Sequence, residues 1–88
     1  MKQLPGNRKP EIEYPCAWTY KLFGTDEAEL REAVARIMPM DGYDLSLSRS
    51  SRHGKYLCMN LTLTVVSEED RTSVYEALHA HDSILLVL

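Results

Sequence analysis

Lys55-Tyr56-Leu57-Cys58-Met59-Asn60-Leu61-Thr62-Leu63-Thr64-Val65-Val66 decides the fold. Leu57, Met59, Leu61, Leu63 and Val65 form one apolar row, and Tyr56, Cys58, Asn60, Thr62 and Thr64 form a mostly polar one. Side chains of a strand alternate between faces, so this stretch predicts a strand with one face in a core and one in water. Helices covering a single face of an antiparallel sheet produce this alternation.

The stretches on either side extend the pattern. Upstream, Tyr43, Leu45 and Leu47 alternate with Asp44, Ser46 and Ser48, which predicts a strand from Tyr43 to about Arg49. Ser50-Ser51-Arg52-His53-Gly54 is then a hairpin, with Gly54 available for a positive φ. Earlier still, Leu30, Ala33, Val34 and Ile37 fall at i, i+3, i+4 and i+7, the stripe of an amphipathic helix. Asp26 is its expected N-cap, with Glu29 three residues on. Pro39 stops that helix, and Asp41-Gly42 makes the turn. Cys16 to Phe23 reads as a strand with Trp18, Tyr20 and Leu22 facing the core, and Gly24 ends it. Downstream, Ser67 caps a second helix with Glu68, Glu69 and Asp70 in its first turn. Val74, Ala77 and Leu78 are expected to face inward. Ser83 to Leu88 reads as a fourth strand, with Ile84, Leu86 and Leu88 inward and Leu85 and Val87 outward. Met1 to Tyr14 has no periodicity and reads as a mobile tail before a domain spanning 15–88.

Strand, helix, strand, strand, helix, strand is the ferredoxin-like α+β sandwich. Right-handed crossovers give an antiparallel sheet of order 4-1-3-2 with both helices on one face.

Composition narrows the function. The chain has 88 residues, the size of one domain. Ten Lys and Arg stand against 13 Asp and Glu, a net charge of −3 that argues against nucleic-acid partners. No apolar run approaches the ~20 residues of a membrane span, and Lys2 has no apolar stretch behind it to make a secretory signal. Cys16 and Cys58 are the only cysteines. They are expected as reduced thiols of a cytoplasmic protein, with Cys58 exposed or semi-exposed on the sheet. Neither belongs to a C-x-x-C pair, and no metal or cofactor is expected.

The fold hosts many chemistries, so each was tested at its residues. An acylphosphatase needs an arginine after strand one to hold phosphate, where this chain has Phe23-Gly24-Thr25-Asp26. RNA recognition needs stacking aromatics on the open sheet face, where Tyr56 stands alone. His79 and His81 suit the negative end of a helix dipole, and their i, i+2 spacing separates the rings. Cys58 lacks a nearby base for nucleophilic work. No enzyme is expected. The remaining candidates for ligand or partner binding are Gly24 and the basic hairpin with its flank: Arg49, Arg52, His53, Lys55 and Tyr56.

The run Cys16-Ala17-Trp18-Thr19-Tyr20-Lys21-Leu22-Phe23-Gly24, the turn Ser50-Ser51-Arg52-His53-Gly54-Lys55-Tyr56 and the ending Asp82-Ser83-Ile84-Leu85-Leu86-Val87-Leu88 resemble the YbeD-like family of small bacterial proteins. The likeness covers about Tyr14 to Leu88. Where that family tends to show Ser two residues after the turn tyrosine, this chain has Cys58. The resemblance implies a ferredoxin-like fold close to the ACT regulatory domain, and no catalytic residues. It implies a regulatory role with a link to lipoate metabolism, and, by analogy with ACT domains, a ligand near Gly24 and paired domains. Two functions follow. One is a regulatory domain that binds a small metabolite or a partner enzyme. The other is a protein-interaction or assembly module without a small ligand. In either case a homodimer is expected through Leu85 and Val87.

Overall fold

The computed structural model describes residues 12–38, 42–50 and 55–88, the side chains of Arg49 and Ser50 apart. The elements are β1 (Cys16–Gly24), α1 (Glu27–Ile37), β2 (Tyr43–Ser50), β3 (Leu57–Val65), α2 (Glu68–His79) and β4 (Leu86–Val87). They form one antiparallel sheet of order β2-β3-β1-β4, the ferredoxin-like order expected. The hairpin tip and the first eleven residues of the tail lie outside the described residues. Tyr14 belongs to the folded body, packed against the core.

β3 is the centre of the sheet. It pairs with β1 along its length, from Cys16 opposite Val65 to Gly24 opposite Leu57, and with β2 from Tyr43 opposite Leu63 to Ser50 opposite Leu57. Met59, Leu61 and Val65 are completely buried, as are Leu22 of β1, Leu30 and Val34 of α1 and Leu78 of α2. Each such side chain contributes about 1.5–3 kcal/mol by leaving water, so this cluster outweighs any surface interaction in the molecule.

Both helices start as the sequence predicts. The Asp26 carboxylate accepts from Glu29 N at 3.0 Å, and the Ser67 hydroxyl accepts from Asp70 N at 3.0 Å. Asp70 answers by accepting from Val66 N at 3.0 Å. Thus donors that the first turn leaves without helical partners are satisfied. Glu27 with Arg31 and Glu32 with Arg36 brace the solvent side of α1 at i, i+4.

Three expected orientations are corrected. The fourth strand is only Leu86–Val87, with Ile84 and Val87 buried and Leu85, Leu86 and Leu88 exposed. A turn closed by Ile84 N donating to His81 O turns Ile84 inward before the strand begins, so alternation starts afresh at Leu86. Val87 then pairs with Leu22 on the core face, and the expected outward pair of Leu85 and Val87 does not exist. Cys58, expected at or near the surface, is buried. It sits on the central strand opposite Phe23, in a row that continues to Leu86, and its thiol is too small to rise above such neighbours. Ala77 is exposed. The buried stripe of α2 runs through Val74 and Leu78 and continues toward Arg71.

Gly24 joins the end of β1 to α1 where the two touch. A Cβ there would lie 2.9 Å from Leu30 Cδ2 and 3.0 Å from the Ser83 carbonyl oxygen. Leu30 is fully buried and the Ser83 contact is backbone, so neither yields cheaply. Gly24→Ala is therefore expected to lower stability by about 1–3 kcal/mol in urea denaturation through overpacking. A loss below about 0.5 kcal/mol would show that this corner relaxes freely.

Candidate cleft between β1 and α2

β4 pairs with β1 only beside Lys21, Leu22 and Phe23. Trp18 and Tyr20, further back along β1, have β3 on one side and no strand on the other among the described residues. α2 crosses above this uncovered edge. The space between them is a cleft of about 250 Å³ lined by Trp18, Tyr20, Arg71, Thr72, Tyr75 and Leu88.

Tyrosine and tryptophan on the core face shape the cleft floor. Tyr20 is buried and donates its hydroxyl to the Arg71 carbonyl oxygen at 2.6 Å, tying β1 to α2. Burial pushes the Tyr20 phenol up to about 12, against the opposing pull of the Arg71 charge. Trp18 is half-buried, and the Arg71 guanidinium carbon lies 4.6 Å from its ring centre. Arg71 Nε donates to the Tyr14 hydroxyl at 3.0 Å, a bond that raises the arginine pKa further. Arg71 is thus a permanent cation held between two aromatic side chains. Tyr75 forms the outer wall and stacks on His79, with ring centres 5.8 Å apart and planes 7° from parallel.

The residues expected to bind lie elsewhere. Gly24 is packed against Leu30, and the adjoining Thr25–Asp26 segment borders a wide, shallow hollow. Arg52 and His53 lie outside the described residues. Arg49 takes its place in β2 opposite Cys58, beyond a register shift after Leu47. Lys55 and Tyr56 are exposed just before β3. The register does bring Gly24 and the hairpin base to one end of the sheet, since Leu57 faces Gly24 on one side and Ser50 on the other. His81 accepts from Ser83 N at its Nδ1, a role in the turn before β4. The open sheet face is polar where Thr19 meets Thr62 and Lys21 meets Asn60, and apolar where Phe23 meets Leu86.

Among the described residues, no three His, Cys, Asp or Glu side chains come together to hold a metal ion, and no helix is long and apolar enough to cross a membrane.

Sequence reasoning missed the cleft because it assigned Trp18 and Tyr20 to the core and did not examine the flank of α2. One signal was available. Arg71, Tyr75 and His79 recur at i, i+4, i+8 beside the Val74–Leu78 stripe, a polar-aromatic ridge next to an apolar one.

Residues 9–88 match the family described as "Protein of unknown function (DUF493)". The chain belongs to this family. The UPF0250 protein NE1487 of Nitrosomonas europaea is 35% identical over 81 residues, covering 88% of this chain and 93% of that one. A UPF0250 protein of Hahella chejuensis is 31% identical over 83 residues, covering 90% and 91%. The family is thus the YbeD-like one that the sequence resembles. The solution structure of HP0495 from Helicobacter pylori superposes with a TM-score of 0.78, covering 100% of this chain and 98% of that one. At 23% identity it supports the fold.

The Tyr20 hydroxyl gives the cleft a pH signature. A phenol raised above its ordinary 10.0 to about 12 in the fold stabilises the native state fully below about pH 10. That contribution is lost as pH rises from 10 through 12, because the phenol of the unfolded chain ionises there while burial holds the native one neutral. Melting temperatures of the wild type and Tyr20→Phe should therefore converge between pH 10 and 12. Parallel curves across that window would show that Tyr20 titrates like a free phenol.

Proposed function

We propose that this protein is a small regulatory domain that acts by binding rather than by catalysis, with the cleft between β1 and α2 as its ligand site. The observation that carries this reading is a fixed cation among aromatic walls. Arg71 lies on Trp18 and bonds to Tyr14, while Tyr20 and Tyr75 line the space beside it. Convergent polar groups in a mostly apolar concavity are the usual form of a small-molecule site. At about 250 Å³ the cleft falls below the range of drug-sized ligands, which points to a small metabolite. Regulation follows from position. A ligand there touches both β1 and α2, and one that prefers one arrangement of the two shifts the population toward it.

A second reading has its own observation. Leu85, Leu86 and Leu88 are 56%, 48% and 65% exposed beside the short edge strand β4. Clustered apolar side chains on an edge favour a protein partner or a second copy of the chain.

A thermal-shift screen against amino acids, short and medium-chain carboxylates including lipoate and octanoate, and nucleotides separates the readings. A ligand at 100 times its Kd stabilises by about 2.7 kcal/mol. The expected result is a shift with one small-metabolite class, lost on replacing Arg71. Absence of any shift, together with a dimer that Leu85→Lys dissociates, would replace the metabolite reading with assembly.

A further inference from the structure

We infer that the ligand of the β1–α2 cleft is a small organic carboxylate with a flat or short apolar body, its charge paired with Arg71. This inference rests on reading the cleft as the ligand site and adds the chemistry of the occupant.

The first argument is the unusual position of Arg71 among the arginines. Three have described side chains. Arg31 and Arg36 each pair with a glutamate four residues earlier, at 2.9 and 3.2 Å. Four residues before Arg71 stands Ser67, whose hydroxyl caps the helix. Among the described residues no carboxylate lies within salt-bridge distance of the Arg71 guanidinium, in a chain with more acids than bases. Instead it is held by an indole face and a phenol oxygen. Those contacts orient the fork, and the nearest acidic charge acting on it, Glu68 one turn back, does so from beyond salt-bridge distance. A guanidinium fixed in this way gives up little rotamer freedom on meeting a carboxylate, whose two oxygens match its geometry.

The second argument is the wall. Tyr75 and Leu88 keep 39% and 65% of their surface exposed at the mouth, and Trp18 is only half-buried. An apolar body laid against them removes that surface from water. The volume of about 250 Å³, below the range of drug-sized sites, favours a short body over one the size of a nucleotide. A free inorganic anion leaves the walls bare, and an ammonium group meets like charge.

Trp18 is the only tryptophan in the chain, so its emission reports on this cleft alone. The experiment titrates the protein with benzoate and hexanoate, with their uncharged amides, and with benzylamine. Carboxylates should change Trp18 emission saturably and bind at least tenfold tighter than the amides, with benzylamine silent. Arg71→Gln should weaken carboxylate binding at least tenfold, and Arg71→Lys should restore part of it. Because Arg71→Gln also loses the Tyr14 contact, Thr72→Glu provides an independent variant. It places a negative charge at the exposed rim of the cleft and should weaken carboxylates by a much larger factor than their uncharged amides. Amides binding as tightly as carboxylates, or carboxylate affinity unaffected by both variants, would overturn the ligand class while leaving the cleft as a site. No change in Trp18 emission with any probe, alongside a ligand found by thermal shift that acts elsewhere, would remove the cleft reading and this inference together.

Discussion

Along β3, alternate side chains withdraw from water while the intervening ones face outward, and both neighbouring strands take their register from that row. Met59, Leu61 and Val65 are wholly buried, and each sits opposite a residue of β1: Leu22, Tyr20 and Cys16. A slip of one residue would expose Tyr20 and Leu22 and bury Thr19 and Lys21, exchanging several kcal/mol of apolar burial for polar desolvation. That penalty fixes the sheet. The helices then dock where the row offers a surface, α1 through Leu30, Ala33 and Val34 and α2 chiefly through Leu78. A chain of 88 residues buries a modest share of its surface, so one row on a central strand carries much of its stability.

The asymmetry between the helices determines where the cleft opens. α1 buries three side chains and lies close on the sheet, close enough that Gly24 has no room for a methyl group. α2 buries one completely. Its N-terminal half is held instead by polar and aromatic bonds, Tyr20 to the Arg71 carbonyl and Arg71 to Tyr14 and Trp18. Such directional contacts fix distance without filling space, and β4 is too short to fill it from the side. A cleft between β1 and α2 is the geometric consequence.

Much of this was legible in the sequence. Period-2 alternation in β3 and the i, i+3, i+4, i+7 stripe of α1 are local signals, and Asp26 and Ser67 cap where capping chemistry places them. What escaped depends on the third dimension. The parity of β4 was lost because the turn ending at Ile84 is irregular, and alternation cannot be counted through a turn. Cys58 is buried by what lies across the strand, and its own neighbours in the chain are silent about Phe23. The cleft was hidden for the same reason. Tyr14, Trp18 and Arg71 are more than fifty positions apart at their extremes, and a tryptophan on a core-facing row looks like packing until the length of the adjoining strand is known.

The bonds that position Arg71 also couple the cleft to the fold. Tyr20 reaches from a buried position on β1 to the backbone of α2, and the arginine whose carbonyl it bonds carries the guanidinium into the cleft. An occupant seated against Trp18 and Tyr75 would bridge the same two elements and reinforce the joint that apolar packing leaves weakest. Elements with few buried apolar contacts open locally at lower free energy than the core, so added contacts at such a joint change its opening more than they change global stability. The far end of α2 leads through the His81–Ile84 turn into β4, whose Leu86 and neighbouring Leu85 and Leu88 are exposed. The cleft and the apolar edge therefore meet at Leu88 and are also joined by one short run, α2 to β4. A change in how α2 sits on β1 would meet the edge directly at Leu88 and through the buried side chains of Leu78 and Ile84, which belong to the same core cluster.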